Sequence, residues 1–109
     1  MEVVTKFGGT WAEHDLDGAL DMLTDDCVFD NTSPAPDGER FVGRSAIRSA
    51  WSPIFEDSRA QFETEEAFQV GDRVVQLWRY TWADGHVRGV DVFRVRDGKI
   101  AEKLSYVKG

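Results

Sequence analysis

From Gln61 to Val107 the chain alternates stretches of strand-forming residues with turn dipeptides, and this pattern limits the fold more than any other feature of the sequence. Phe62, Thr64, Glu66, Phe68 and Val70 alternate with Gln61, Glu63, Glu65, Ala67 and Gln69, the period of a half-buried strand. Gly71-Asp72 turns the chain into Val74 to Trp82. Asp84-Gly85 is a strong hairpin signal and leads to Val87 to Val95. Asp97-Gly98 then makes a further hairpin into Ile100 to Val107.

The first half carries helical spacing instead. Leu16, Ala19, Leu20 and Leu23 fall at i, i+3, i+4 and i+7, one stripe of a helix with Asp15 as N-cap and Asp17 in its positive first turn. Val4, Phe7, Gly8 and Trp11 keep the same spacing. Gly8-Gly9 weakens that helix by about 1 kcal/mol per glycine relative to alanine, so close packing is expected there. Ile47, Ala50, Trp51, Ile54 and Phe55 make a third stripe, entered through Ser45 and kinked or ended at Pro53. Between the second and third helices, Cys27 to Asn31 reads as a short strand and Thr32 to Gly38 as a loop. Helices followed by an antiparallel meander define an α+β fold, and 109 residues make one domain, 1–109.

Charge and composition narrow the function. A net charge of −7 opposes binding to nucleic acid or an anionic membrane. The lone cysteine, Cys27, has no intramolecular disulfide partner, and two separated histidines offer no zinc cluster. No apolar run reaches the ~20 residues of a membrane span, and Met1 to Lys6 lacks a signal-peptide core, so a cytoplasmic location is expected. Nucleophile-elbow, phosphate-loop and metal-ligand spacings are absent, and no cofactor is expected.

The turn at Asp84-Gly85 sets an expected register in which Trp82 faces Val87, Tyr80 faces Gly89, Trp78 faces Asp91 and Gln76 faces Phe93. Directly opposite residues share a face. One face then carries Trp78, Tyr80, Trp82, Asp91, Phe93 and Val95, and the other Val75, Leu77, Arg79, Val90, Val92 and Arg94. Asp91 stands between two valines on an otherwise apolar face. It reads either as a general acid or base whose pKa burial raises, or as half of a structural ion pair with Lys103 or Arg88. The aromatic trio reads either as the wall for a flat apolar ligand or as core. Gly89, opposite Tyr80, leaves room on that face. Glu66, sharing a strand face with Phe62 and Phe68, is a weaker acid–base candidate and reads equally as a solvated glutamate. The second face, apolar and uncovered by helices, points to a homodimer. His14 and His86 read as surface residues.

Several segments together resemble the nuclear transport factor 2-like superfamily, in particular its SnoaL-like polyketide cyclase and ketosteroid isomerase-like branch. They are Thr24-Asp25-Asp26-Cys27-Val28-Phe29-Asp30-Asn31, the Gly43-Arg44-Ser45-Ala46-Ile47 helix entry, and Gly89 to Ile100. The resemblance covers essentially the whole chain. It implies a curved antiparallel sheet wrapped on three N-terminal helices to form a cone, open at one end to a small apolar molecule. Asp91 falls where the cyclases keep their acid–base carboxylate and the isomerase its protonated oxyanion-hole acid. Asn31 falls at the isomerase's carboxylate base, and Phe7 at its oxyanion tyrosine. Limonene-epoxide hydrolases share the fold with a pair of aspartates bridged by arginine, whereas here Asp91 is the one aspartate on the expected pocket face. The resemblance also turns Lys103 and Ser105 inward, against the apolar set Ile100, Leu104 and Tyr106. A bulge at Arg96-Asp97-Gly98 would reconcile the two and bring Lys103 to Asp91.

The resulting expectation is a cofactor-independent enzyme transferring a proton on a flat, apolar, carbonyl-bearing small molecule, an isomerase or polyketide cyclase. Asp91 and Asn31 are the expected catalytic residues. Phe29, Trp51, Trp78, Tyr80, Trp82, Phe93 and Lys103 are the expected substrate contacts. A non-catalytic binding module of the same fold, an epoxide hydrolase-like enzyme, or a structural dimer whose cone its own side chains fill are the alternatives.

Overall fold

Two helices, two strands, a third helix and a four-strand meander follow one another in the computed structural model, which describes residues 1–108. They are α1 (Glu2–Ala12), α2 (Leu16–Asp21), β1 (Leu23–Asp30), β2 (Arg40–Val42), α3 (Arg44–Glu56), β3 (Gln61–Val70), β4 (Arg73–Trp82), β5 (Gly85–Arg96) and β6 (Lys99–Val107). The strands form one sheet in the order β2-β1-β6-β5-β4-β3. The α+β expectation holds, with one correction. The sheet is mixed, because β1 pairs parallel with β6 while every other neighbouring pair is antiparallel. A parallel pair needs a long connection, and β2, α3 and the meander supply it.

The helical stripes bury as their spacing requires. Val4, Phe7 and Trp11 of α1, Ala19 and Leu20 of α2, and Ile47, Trp51 and Phe55 of α3 join Phe29, Val74, Phe93 and Ile100 of the sheet in one core. All three helices therefore cover one face. Asp15 caps α2, its Oδ1 accepting from the Gly18 N–H at 3.0 Å. That helix stops at Asp21; Leu23, the last residue of its stripe, opens β1 opposite Ile100, and both are fully buried. Here sheet pairing overrides helical periodicity. α3 is entered through Gly43 at φ +89°, whose N–H donates to the Cys27 carbonyl at 2.8 Å, and not through Ser45. It also runs past Pro53 to Glu56, because Trp51 and Phe55 anchor both sides of the proline in the core. Gly9 touches nothing, and Gly8 has room for a methyl group against Gln76, so the close packing expected at this pair is not there.

Three details of the meander set the faces. The β4–β5 turn is Ala83-Asp84, with Trp82 opposite Gly85, so pairs lie two residues away from the expected register. Trp78 faces Gly89 and Gln76 faces Asp91. A two-residue displacement leaves every side chain on its expected face. In β3 the pairing passes from Thr64–Trp78 to Glu66–Leu77, and the extra Glu65 is a bulge. Beyond it the faces exchange, which puts Glu66 and Phe68 on the outer side, away from Phe62 and from any acid–base role in the interior. In β6 the pairing passes from Arg94–Glu102 to Val95–Ile100, leaving Ala101 as the bulge that turns both Ile100 and Lys103 inward. The bulge needed to reconcile Lys103 with the apolar pattern thus exists, but inside β6. The Asp97-Gly98 turn is regular, with both residues at positive φ as a type I′ hairpin requires.

Candidate functional site

On the inner face Asp91 stands between Gln76 on one neighbouring strand and Ser105 on the other. Its Oδ2 lies 3.2 Å from Lys103 Nζ, and the two side chains are 6% and 9% exposed. Of the two readings of Asp91, its surroundings fit the one in which Lys103 compensates the charge. Arg88, the other cation considered, points to the outer face and meets Glu65 at 3.3 Å. Asp91 Oδ1 has no partner in the protein.

A buried ammonium has lost its water, and the fold replaces that hydration piece by piece. Lys103 donates to Ser105 Oγ at 3.0 Å. Its nitrogen also lies 4.9 Å from the ring centre of Phe29, 5.3 Å from Trp11 and 5.9 Å from Trp51. These distances fall within the ~6 Å over which a ring's quadrupole attracts a cation.

Two cavities meet at Lys103. The smaller, about 30 Å³, is bordered by Asp91, Gln76 and Thr64. The larger, about 150 Å³, is bordered by Phe29, Asn31, Tyr80 and Ser105. Trp11, Phe62, Trp78 and Lys103 line both. Asp91 and Asn31 therefore border different chambers with Lys103 in common. The Asn31 carbonyl oxygen already accepts the Thr32 N–H at 2.8 Å, which leaves its NH₂ as the free end.

Among the expected contacts, Phe29, Trp78, Tyr80 and Lys103 line the larger cavity. Trp51 and Phe93 do not line either chamber; both are fully buried in the core behind them. Trp82 is also outside, tilted against Tyr80 with ring centres 5.9 Å apart towards the hairpin end. Gly89 does not open the space expected of it, because the Trp78 indole lies on it and a Cβ would overlap the ring. Trp11 and Phe62 also form the wall, although the sequence marks them only as members of a helical stripe and of a half-buried strand. Gln76 was within reach, since it shares the parity of Trp78.

Burial pushes the Tyr80 phenol above the ordinary tyrosine value, with the Asp57 carboxylate adding to it, so Tyr80 presents a neutral O–H to the cavity. Burial pushes the Cys27 thiol up to about 12, and no thiolate nucleophile is available near neutral pH. Among the described residues, no cluster of three or more His, Cys, Asp or Glu side chains could hold a metal ion, and no helix is long and apolar enough to cross a membrane.

A six-stranded sheet with helices on one face and a partly filled interior between them defines a fold of the nuclear transport factor 2 type. Within it the chain belongs to the SnoaL-like domain family, whose pattern matches residues 4–103. It is 43% identical to an NTF2-like protein of unknown function from Mesorhizobium loti, covering 99% of this chain and 89% of that one, with a TM-score of 0.90. A proposed polyketide cyclase from Sinorhizobium meliloti superposes with a TM-score of 0.83 at 20% identity, over 96% of this chain and 94% of that one. A proposed ketosteroid isomerase from Kribbella flavida does so at 0.82 and 15% identity, over 99% and 76%. These two share the fold. No curated protein matches the chain in sequence.

Proposed function

We propose that the protein is a cofactor-independent enzyme that moves a proton at the carbon next to a carbonyl group of a small apolar molecule. One observation carries this reading: a carboxylate and an ammonium, both more than nine-tenths buried and 3.2 Å apart, border an aromatic-walled cavity. In the reaction Asp91 takes the proton from the α-carbon. The C–H electron pair becomes the C=C bond of an enolate, whose oxygen charge Lys103 stabilises. Returning the proton to another carbon completes an isomerisation, and attack of the enolate carbon on a second carbonyl completes a cyclisation. The reacting carbon sits where the chambers join, and the free amide NH₂ of Asn31 orients the remainder of the molecule. The aromatic walls exclude water and strengthen each of these interactions.

Proton exchange tests this directly. Cyclohexanone, 2-tetralone and progesterone are incubated with the protein in D₂O, and α-deuterium incorporation is followed by NMR. Catalysed exchange with at least one ketone is expected, falling by a factor on the order of 100 in the folded fraction of Asp91→Asn. Saturable binding without exchange would instead establish a non-catalytic binding module. The small free volume beside Asp91 favours that second reading.

The same reading includes a second copy of the chain. The outer sheet face carries no helix, and Val75, Leu77, Val90 and Val92 lie on it with the exposed Phe68 and Tyr106. Its rim holds charges of both signs, Arg79 and Arg88 beside Glu65 and Arg94 beside Asp72 and Glu102. A surface that presents both signs around an apolar centre can complement itself across a two-fold axis.

A further inference from the structure

We propose that the larger cavity takes a neutral single-ring carbonyl compound whose oxygen is held by two converging donors, the Lys103 ammonium and the Ser105 hydroxyl. The inference rests on the reading of this cavity as a carbonyl site and narrows it in size, charge and contacts.

Size comes from the volume. A cavity of about 150 Å³ matches the space in which an apolar protein interior accepts one benzene molecule. The adjoining chamber adds only about 30 Å³, room for a group the size of a methyl or a water. Trp78 fills the space over Gly89, so the pocket gains no room at that position. Four fused rings need more than this volume.

The contacts follow from counting donors. An ammonium has three N–H bonds and no acceptor. Lys103 directs one at Asp91 Oδ2 and one at Ser105 Oγ, which leaves the third. Ser105 Oγ, having accepted from Lys103, turns its own O–H elsewhere, and that hydrogen has no acceptor among the side-chain hydrogen bonds of the described residues. Both groups border the larger cavity. Two donors centred 3.0 Å apart can both reach a single oxygen, the arrangement that stabilises a carbonyl oxygen as it gains charge.

Charge separates carbonyl compounds from carboxylic acids. Asp91 already balances Lys103, so a carboxylate ligand would add an uncompensated anion to a dry site. An aldehyde or ketone brings an acceptor without a net charge.

Benzaldehyde, benzoate and progesterone discriminate among the classes by tryptophan quenching and by the infrared carbonyl stretching band. Benzaldehyde has no α-hydrogen, so its binding is independent of proton transfer, and a protein that binds it yet exchanges no ketone protons keeps this inference while losing the enzyme reading. The expected result is saturable benzaldehyde binding with a red-shifted carbonyl band, weaker benzoate binding and no progesterone binding. Lys103→Met should weaken benzaldehyde about ten- to a hundred-fold and Ser105→Ala about three- to ten-fold, with the red shift reduced in each. Ser105→Ala leaves the ion pair intact and decides the question if Lys103→Met fails to fold. Absence of benzaldehyde binding, benzoate or progesterone binding as tight as benzaldehyde, or an unchanged affinity and band in Ser105→Ala would overturn the proposal.

Discussion

Replacing Asp91 with Asn keeps the size of the side chain and one carbonyl acceptor, yet removes the one anion paired with Lys103 among the described residues. Breaking a buried pair by removing one partner costs about 3–5 kcal/mol, since the other charge stays buried without compensation. Two features pull the expected value to the low end. Lys103 keeps its bond to Ser105, and the rings of Phe29, Trp11 and Trp51 still surround the ammonium. We expect a loss of about 3 kcal/mol at pH 7. For a domain whose total stability is about 5–15 kcal/mol this is a large fraction. With a urea slope of about 1.5–2 kcal/mol/M, the midpoint moves down by roughly 1.5–2 M, measured by far-ultraviolet circular dichroism and tryptophan fluorescence together. The double variant Asp91→Leu/Lys103→Met removes both charges and should recover most of the loss, because an apolar replacement of a buried pair is often neutral or stabilising. A single-variant loss below about 1 kcal/mol, or a double variant no better than the single, would refute the argument that Asp91 and Lys103 compensate each other out of water.

Three other outcomes follow from particular residues. Gly9→Ala fills open space on an exposed turn of α1 and should stabilise the protein by about 1 kcal/mol, seen as a Tm rise of a few degrees. Cys27 should resist a thiol reagent at pH 8 in the native protein and react at once in urea. Its raised pKa also means that the fold favours the protonated thiol, so this contribution is complete below the unfolded value near 8.5 and is lost as pH rises towards about 12. Val90→Lys should shift the mass measured by light scattering from two chains towards one, and a wild type already at the mass of one chain would remove the case for a dimer.

The sequence carried the parity of the strands further than their pairing. Trp78, Tyr80 and Asp91 came to one face even though the turn lies at Ala83-Asp84, since a shift by two residues preserves side-chain direction. A bulge shifts by one, and nothing local marks Glu65 or Ala101 as the extra residue. For that reason Glu66 was placed on the wrong side, while Lys103 could be turned inward only by family resemblance. The parallel β1–β6 pair was equally hidden, because Leu23 completes a helical stripe and only Ile100, far along the chain, recruits it to a strand. Cavity walls and core are also indistinguishable by spacing: Trp11 and Trp51 sit in similar stripes, and only the first borders free space.

The strand that comes last in chain order among the described residues is not at an edge of the sheet but inside it. β6 lies between β1 and β5, and it carries Lys103. Without it, β1 and β5 each present an open backbone edge flanked by apolar side chains such as Phe29 and Phe93, and Asp91 loses its counter-ion. Such edges invite pairing with other chains, and long-range pairings form slowly. The strand that closes the sheet is therefore also the one that delivers the charge its core lacks.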